Sequence, residues 1–301
     1  MTTLIVPGFS ALEAKADEHA RDWEAMCGSG GNPAHSSVIA SFHDMADAWA
    51  AVEIFRMGPA SKDFRRDRFY LWPERKNAVA RSLSALLDSP PGTMDAAWVS
   101  QQSAAIQGVP VLERLLFEDG KPKDAPQSGS TACKLGVAVA HNAAQLAHDF
   151  ASEWAARGGA STAADRTALA TDLVSGVGLI KEEKCEAVFG KNEGLAKPRA
   201  AEFWRSARSL RNMAINMETY EKVATIIDKA LPEAGTMTYA AASARQAIAG
   251  MHEPFADYAK GTARSDANFL LAALSSLGDS ASTDVSAALG VTVGFNSSDG
   301  D

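Results

Sequence analysis

Apolar residues recur at three- and four-residue steps along most of this chain. Leu12, Ala16, Ala20, Trp23 and Cys27 form one such series, and Val38, Phe42, Met45, Trp49 and Val52 another. Val79, Leu83, Leu86 and Leu87 continue the pattern, as do Leu135, Val139, Leu146, Phe150 and Trp154. Each series marks the buried stripe of an amphipathic helix. A further apolar-periodic stretch between Met94 and Phe117 is interrupted at Gly108-Val-Pro110, where proline ends or kinks a helix. Patterning pauses at Arg157-Gly-Gly-Ala-Ser-Thr162 and then resumes. Leu169, Leu173, Val177 and Ile180 make one stripe, and Leu210, Met213, Met217, Tyr220, Ala224 and Ile227 a longer one. Two more helices are expected near residues 234–260 and 264–290. No alternating stretch is long enough for a sheet.

The predicted fold class is therefore all-α: two up-down four-helix bundles packed around a shared cleft. The expected boundaries are 1–157 for an N-terminal bundle and 158–301 for a C-terminal bundle ending in a polar tail. Arg56-Met-Gly58-Pro59 is expected to close the second helix and Phe69–Arg75 to open the third. Residues 119–131 read as a polar loop.

Composition narrows the function. The 301 residues carry 29 Lys+Arg against 37 Asp+Glu, a net charge of −8. An acidic chain lacks the field that draws in phosphate backbones, so no nucleic-acid partner is expected. No apolar run reaches the ~20 residues of a membrane-spanning helix, so no transmembrane segment is expected. The start, Met1 to Phe9, lacks a basic region and a long apolar stretch, so it does not read as a signal peptide. Cys27, Cys133 and Cys185 are widely spaced and form no CxxC pair. They allow one disulfide and one free thiol, or three small buried residues.

Signatures of common enzymes are missing: no HExxH, GxSxG, P-loop or GxGxxG is present. His141 and His148 lie two turns apart, with Asp149 beside the second. His43 and Asp47 have i, i+4 spacing, which suits either paired metal ligands or a local hydrogen bond. His252-Glu253 precedes Pro254 and reads as a helix end. The denser constellation is Gly108-Val-Pro110-Val-Leu-Glu113. Gly108 permits a close backbone approach or a left-handed angle, Pro110 suits the first turn of a helix, and Glu113 follows in that turn. From spacing alone this pattern reads first as a kinked helix with an acidic start.

Taken in order, several segments resemble the imelysin-like family, which is classed with metallopeptidases and iron-regulated envelope proteins. They are Ile5-Val-Pro7, Phe55-Arg56-Met-Gly58-Pro59, Trp72-Pro73-Glu74, Gly108 to Phe117, the helix from Cys133 to Trp154, Glu202 to Leu210, and Gly294 to Asp301. The resemblance implies an all-helical protein of two bundles with a site in the cleft between them, placed in the periplasm or on the outer membrane after removal of a leader. It implies a link to iron acquisition and an envelope partner protein. The family hallmark Gly-x-His-x-x-Glu appears here as Gly108-x-Pro110-x-x-Glu113, a histidine-lacking variant. Proline cannot bind metal, so Glu113 alone is left as a ligand for iron or another divalent ion.

The expected binding residues are Arg56, Trp72, Glu74, Gly108, Pro110, Glu113, Arg205, Ser209, Asn296 and Asp299. An Arg56–Glu113 pair, with Arg75, Arg114 and Arg205 adding guanidinium groups, would hold a small polar or anionic ligand. The same residues read as a salt-bridge lock. No catalytic residue is assigned. The alternatives are a metallopeptidase, with His43 or His141 joining Glu113, and an interaction module with a vestigial cleft. The resemblance also implies an oxidising compartment, a Cys27–Cys133 disulfide and a free Cys185.

Overall fold

The computed structural model describes residues 3–158, 161–190, 194–231, 235–253 and 255–292, without the side chains of 29–33. Asn296 and Asp299 lie outside the described residues. The fold is all-helical; the one pair of strands among the described residues is two residues long on each side. No helix of the described residues is long and apolar enough to cross a membrane. The chain divides into two compact units that exchange short segments.

The first unit takes the chain up to Trp49, then the stretch from Gly58 through α8, and Arg205–Ala207. It contains α1 (Ile5–Ala25), most of α2 (Gly31–Val52), α3 (Arg65–Phe69), α4 (Ala78–Asp88), α5 (Ala96–Ser100), α6 (Ala104–Gln107), α7 (Val109–Leu116) and α8 (Thr131–Arg157). α1 lies along α8 and buries the predicted stripe of Leu12, Ala16, Ala20 and Trp23. The two run in opposite directions, since Glu13 meets His148 and Glu24 meets His141. Close packing is set by Gly136, where an added Cβ would stand 2.2 Å from the Trp23 ring. The Ser130 side chain caps α8 by accepting from the Cys133 N–H at 3.2 Å. At this end Cys27 and Cys133 form a disulfide, with Cα atoms 5.6 Å apart.

His19 sits wholly inside this unit. Its Nδ1 meets the Ser41 hydroxyl at 3.0 Å and its Nε2 accepts from Trp23 Nε1 at 3.0 Å. The indole N–H can only donate, so Nε2 is the bare nitrogen and Nδ1 carries the proton. Burial lowers the His19 pKa to about 3. In the unfolded chain it titrates near 6.5. The unfolded state therefore binds a proton that the folded state refuses. This contribution to stability is complete above about pH 6.5 and is lost as pH falls toward 3, at about 1.4 kcal/mol per pH unit. Urea unfolding of the protein and of His19→Asn across pH 3–7 is expected to show a shallower acid loss in the variant. Parallel profiles would refute this assignment.

The second unit takes Ala50–Met57, the stretch ending at Trp204, and the chain from Arg208 on. It holds α9 (Ala163–Gly178), the short α10 (Ala187–Phe189), α11 (Ser209–Ala230), α12 (Met237–Ala249) and α13 (Gly261–Leu289). Thr162 and Asp165 form a capping box at the start of α9. α9 runs on into a π-helical stretch, Leu179–Glu186, which buries Ile180, Lys184 and Cys185. α12 packs between α11 and α13 through Ala240, Ala241 and Ala244. Its N-terminal N–H groups at Thr236 and Met237 donate to Asp284 of α13, at 2.8 and 3.1 Å. A carboxylate there satisfies donors that the helix itself cannot.

Three local expectations are corrected. α2 ends at Val52 rather than at Arg56–Pro59, because Asp172 captures the Arg56 and Met57 N–H groups, both at 2.7 Å. Phe69–Arg75 does not open a helix: α3 ends at Phe69, the Trp72–Pro73 bond is cis, and Lys76 and Asn77 take left-handed angles before α4 begins at Ala78. The polar loop at 119–131 begins inside a tight hairpin that pairs β1 (Phe117–Glu118) with β2 (Lys121–Pro122). Its turn is Asp119-Gly120, both at positive φ, which is the turn chemistry of a two-residue hairpin.

Candidate functional site

The Gly108–Glu113 segment is fixed from several sides of the first unit. Arg68 Nε donates to Gln107 Oε1 at 2.7 Å, and Asn142 Nδ2 donates to the Gln107 carbonyl at 2.7 Å. Gly108 has φ −136° and ψ −163°, an extended backbone open to any residue. Space is what demands glycine: an added Cβ would lie 2.0 Å from the Phe69 carbonyl oxygen and 2.5 Å from that of Arg68. Of the two roles expected of this glycine, close approach is the one observed. Both obstacles are backbone, so Gly108→Ala must displace main chain. A loss of about 3 kcal/mol or more is expected, read from the urea midpoint. A variant within about 0.5 kcal/mol of the parent would contradict the packing described.

Pro110 lies in the first turn of α7, where its missing N–H costs nothing. The helix buries Val111, Leu112, Leu115 and Leu116, and Glu113 goes in with them at 6% exposure. Its Oε1 accepts from the Ser206 N–H at 3.0 Å and the Ser206 hydroxyl at 2.8 Å. Burial pushes its pKa above the usual carboxylate value; the Ser206 hydrogen bonds and the charges of Arg205 and Arg114 pull it back. Arg114 also pairs with Glu74, whose second oxygen accepts from the Val79 N–H at 3.2 Å. The Arg205 carbonyl accepts from the Gly120 N–H at 2.9 Å, tying the hairpin to the Ser206 turn. Phe203 and Ala207, on either side of that turn, hold φ of 49° and 52°. Left-handed angles in residues with a Cβ cost on the order of 1 kcal/mol each, which the buried carboxylate's hydrogen bonds offset.

Of the residues singled out in the sequence, the structure gathers Gly108, Pro110, Glu113, Glu74 and Arg205 into this arrangement, with Arg114 among them. Trp72 is half-buried in the irregular segment leading to Glu74. Arg56 belongs to the second unit, where its N–H is taken by Asp172. Ser209 is also in the second unit, and its hydroxyl donates to the Glu202 carbonyl. Ser206, which holds Glu113, was not singled out. The left-handed strain beside it has no sequence signature, since phenylalanine and alanine rarely adopt such angles.

A second polar cluster was missed entirely. Lys184 Nζ bonds Glu53, Glu202 Oε2 at 2.7 Å and Asn216 Oδ1 at 2.8 Å, all inside the second unit. Asn216 Nδ2 donates to Glu53 and to the Ala50 carbonyl, both at 2.7 Å. The available sign was Asn212 and Asn216 at i, i+4 spacing, interleaved with the apolar stripe of α11.

The histidines make no metal centre with Glu113. His141 pairs with Glu24 at 2.7 Å, His148 with Glu13 at 2.6 Å, and His252 with Asp257 at 3.2 Å, all of them exposed contacts. His43 packs against the Phe117 ring at 5.2 Å. Among the described residues no group of three or more His, Cys, Asp or Glu is placed to hold a metal ion. Pro110 offers no donor atom and Ser206 occupies Glu113 Oε1, so the residues described at this place do not fit a bound iron or other divalent metal.

The fold has close counterparts. An imelysin-like protein from Psychrobacter arcticum superposes with a TM-score of 0.80 at 19% identity, over 98% of this chain and 94% of that one. An iron-regulated protein A precursor from Parabacteroides distasonis gives 0.70 at 14% identity, over 94% and 91%. No curated protein matches the chain in sequence. The sequence model of the family described as Imelysin aligns with residues 5–283, from the start of α1 nearly to the end of α13. That span takes in the Gly108–Glu113 helix and both compact units, so the chain belongs to the imelysin family.

Proposed function

We propose that this protein is a non-catalytic imelysin-family member of the cell envelope that serves iron acquisition by binding a small polar ligand at the Glu113 site. The observation that carries the reading is the pairing of a buried carboxylate with the Ser206 N–H and hydroxyl, under the charges of Arg114 and Arg205, where a peptidase needs an open metal position. The link to iron is supported by the Parabacteroides neighbour, which is named as iron-regulated. Placement in the periplasm or on the outer membrane is supported by the Cys27–Cys133 disulfide, a bond that persists in oxidising compartments.

Calorimetry and thermal shift with small carboxylates, phosphate and amino acids, alongside ferrous, ferric and zinc ions, test the reading. The expected result is saturable binding of a polar organic or anionic ligand that Glu113→Gln and Arg205→Ala weaken. Peptide cleavage that depends on an added metal would overturn it. A second reading, a structural lock, is favoured by the complete use of Glu113 Oε1 by Ser206. It predicts that Glu113→Gln lowers the melting temperature while no ligand raises that of the parent.

A further inference from the structure

Helix α11 turns a polar seam into the interior of its unit. Ser209, Asn212, Asn216 and Thr219 follow one another at three- and four-residue steps, share a face and are buried. Three of them are satisfied by protein. Ser209 donates to the Glu202 carbonyl, Asn216 bonds Lys184, Glu53 and the Ala50 carbonyl, and Thr219 donates to the Ala51 carbonyl at 3.1 Å. Asn212 is the exception. It is 0% exposed, and neither its side-chain nitrogen nor its side-chain oxygen has a hydrogen-bond partner. Native interiors leave few amides in that condition, because an amide removed from water without replacement bonds is costly to bury.

The neighbours say what kind of partner fits. One turn beyond Asn212, Asn216 holds Lys184, whose Nζ is 2.7 Å from Glu202 Oε2. One turn before it, Ser209 holds the main chain of the same Glu202. Asn212 thus lies on α11 about one turn from each of two residues tied to Glu202. We propose that Asn212 is the anchor of an internal water site in the second unit. One water accepts from its Nδ2–H and donates toward the Glu202 carboxylate, and its Oδ1 accepts from water as well. The ligand is neutral water because the charges here are already matched in part by Lys184, and a site of this kind is polar on several sides, as bound waters require.

A high-resolution crystal structure of the full chain, with oxygen-17 relaxation dispersion counting long-lived internal waters, tests this. The expected result is ordered density within hydrogen-bond distance of both Asn212 amide atoms. At least one long-lived water is expected to be lost in Asn212→Leu and kept in Asn212→Asp. An amide that pairs only with protein atoms, a dry site, or an unchanged water count in Asn212→Leu would overturn the proposal. Should the leucine variant fail to fold, the parent density and the Asn212→Asp dispersion decide it.

Discussion

Lys184→Met is expected to destabilise the protein by about 3–5 kcal/mol, enough to remove much of the stability of an ordinary domain. The side chain is 2% exposed, and the two carboxylates it serves, Glu53 and Glu202, are 2% and 1% exposed. Burial by itself pulls the ammonium's pKa down, but the charges of Glu202 and Glu53 outweigh it and the net direction is up. The lysine is therefore charged at neutral pH, and its removal leaves two carboxylates in a medium that cannot solvate them. The same logic predicts recovery: Lys184→Met combined with Glu53→Gln and Glu202→Gln is expected to regain most of the loss, since no buried charge is then unpaired. Equilibrium urea unfolding of the single and triple variants measures both effects. A single variant that loses less than about 1 kcal/mol, or a triple variant no better than the single, would show that the cluster is not the ionic lock described.

The second large effect is expected from the disulfide. Cys27 and Cys133 are 106 residues apart, so their bond closes a long loop in the unfolded chain. The chain-entropy relation gives about 5 kcal/mol for a loop of that size. Cys27→Ser/Cys133→Ser is expected to lower the melting temperature strongly, and treatment of the parent with reductant is expected to reproduce the change. Cys185 provides the internal control. It is buried and donates to Met213 Sδ at 3.6 Å, and burial pushes its thiol up to about 12, so it should resist alkylation in the folded state. Thermal unfolding with and without reductant, together with mass mapping of alkylated thiols, gives the result. Equal melting temperatures in the two conditions would refute the stabilising role.

The sequence was read well where one helix buries one stripe. Leu12, Ala16, Ala20 and Trp23 all face inward, as do Met213, Met217, Tyr220 and Ala224. It was read less well where a side chain from far along the chain decides a local outcome. α2 stops at Val52 because Asp172, more than a hundred residues on, takes the next N–H groups. The break at Gly108-Val-Pro110 was legible, but the reason for the glycine, the Phe69 carbonyl against its face, was one of two open possibilities. Glu113 was legible as an acidic residue just past the break, but α7 begins at Val109 and sets it in the second turn rather than the expected first. Its partner Ser206 was not legible, because a serine set between Trp204-Arg205 and Ala207-Arg208 carries no mark of the strained turn that aims it.

Periodicity and breakers by themselves determined an all-helical chain, the course of its principal helices and the break ahead of Glu113, since these follow from how one segment hides its own apolar face. Tertiary structure alone decided which polar side chains meet. Lys184 with Glu53 and Glu202, and Glu113 with Ser206, are pairs from distant segments whose partners are chosen by the cost of burying an unmatched charge.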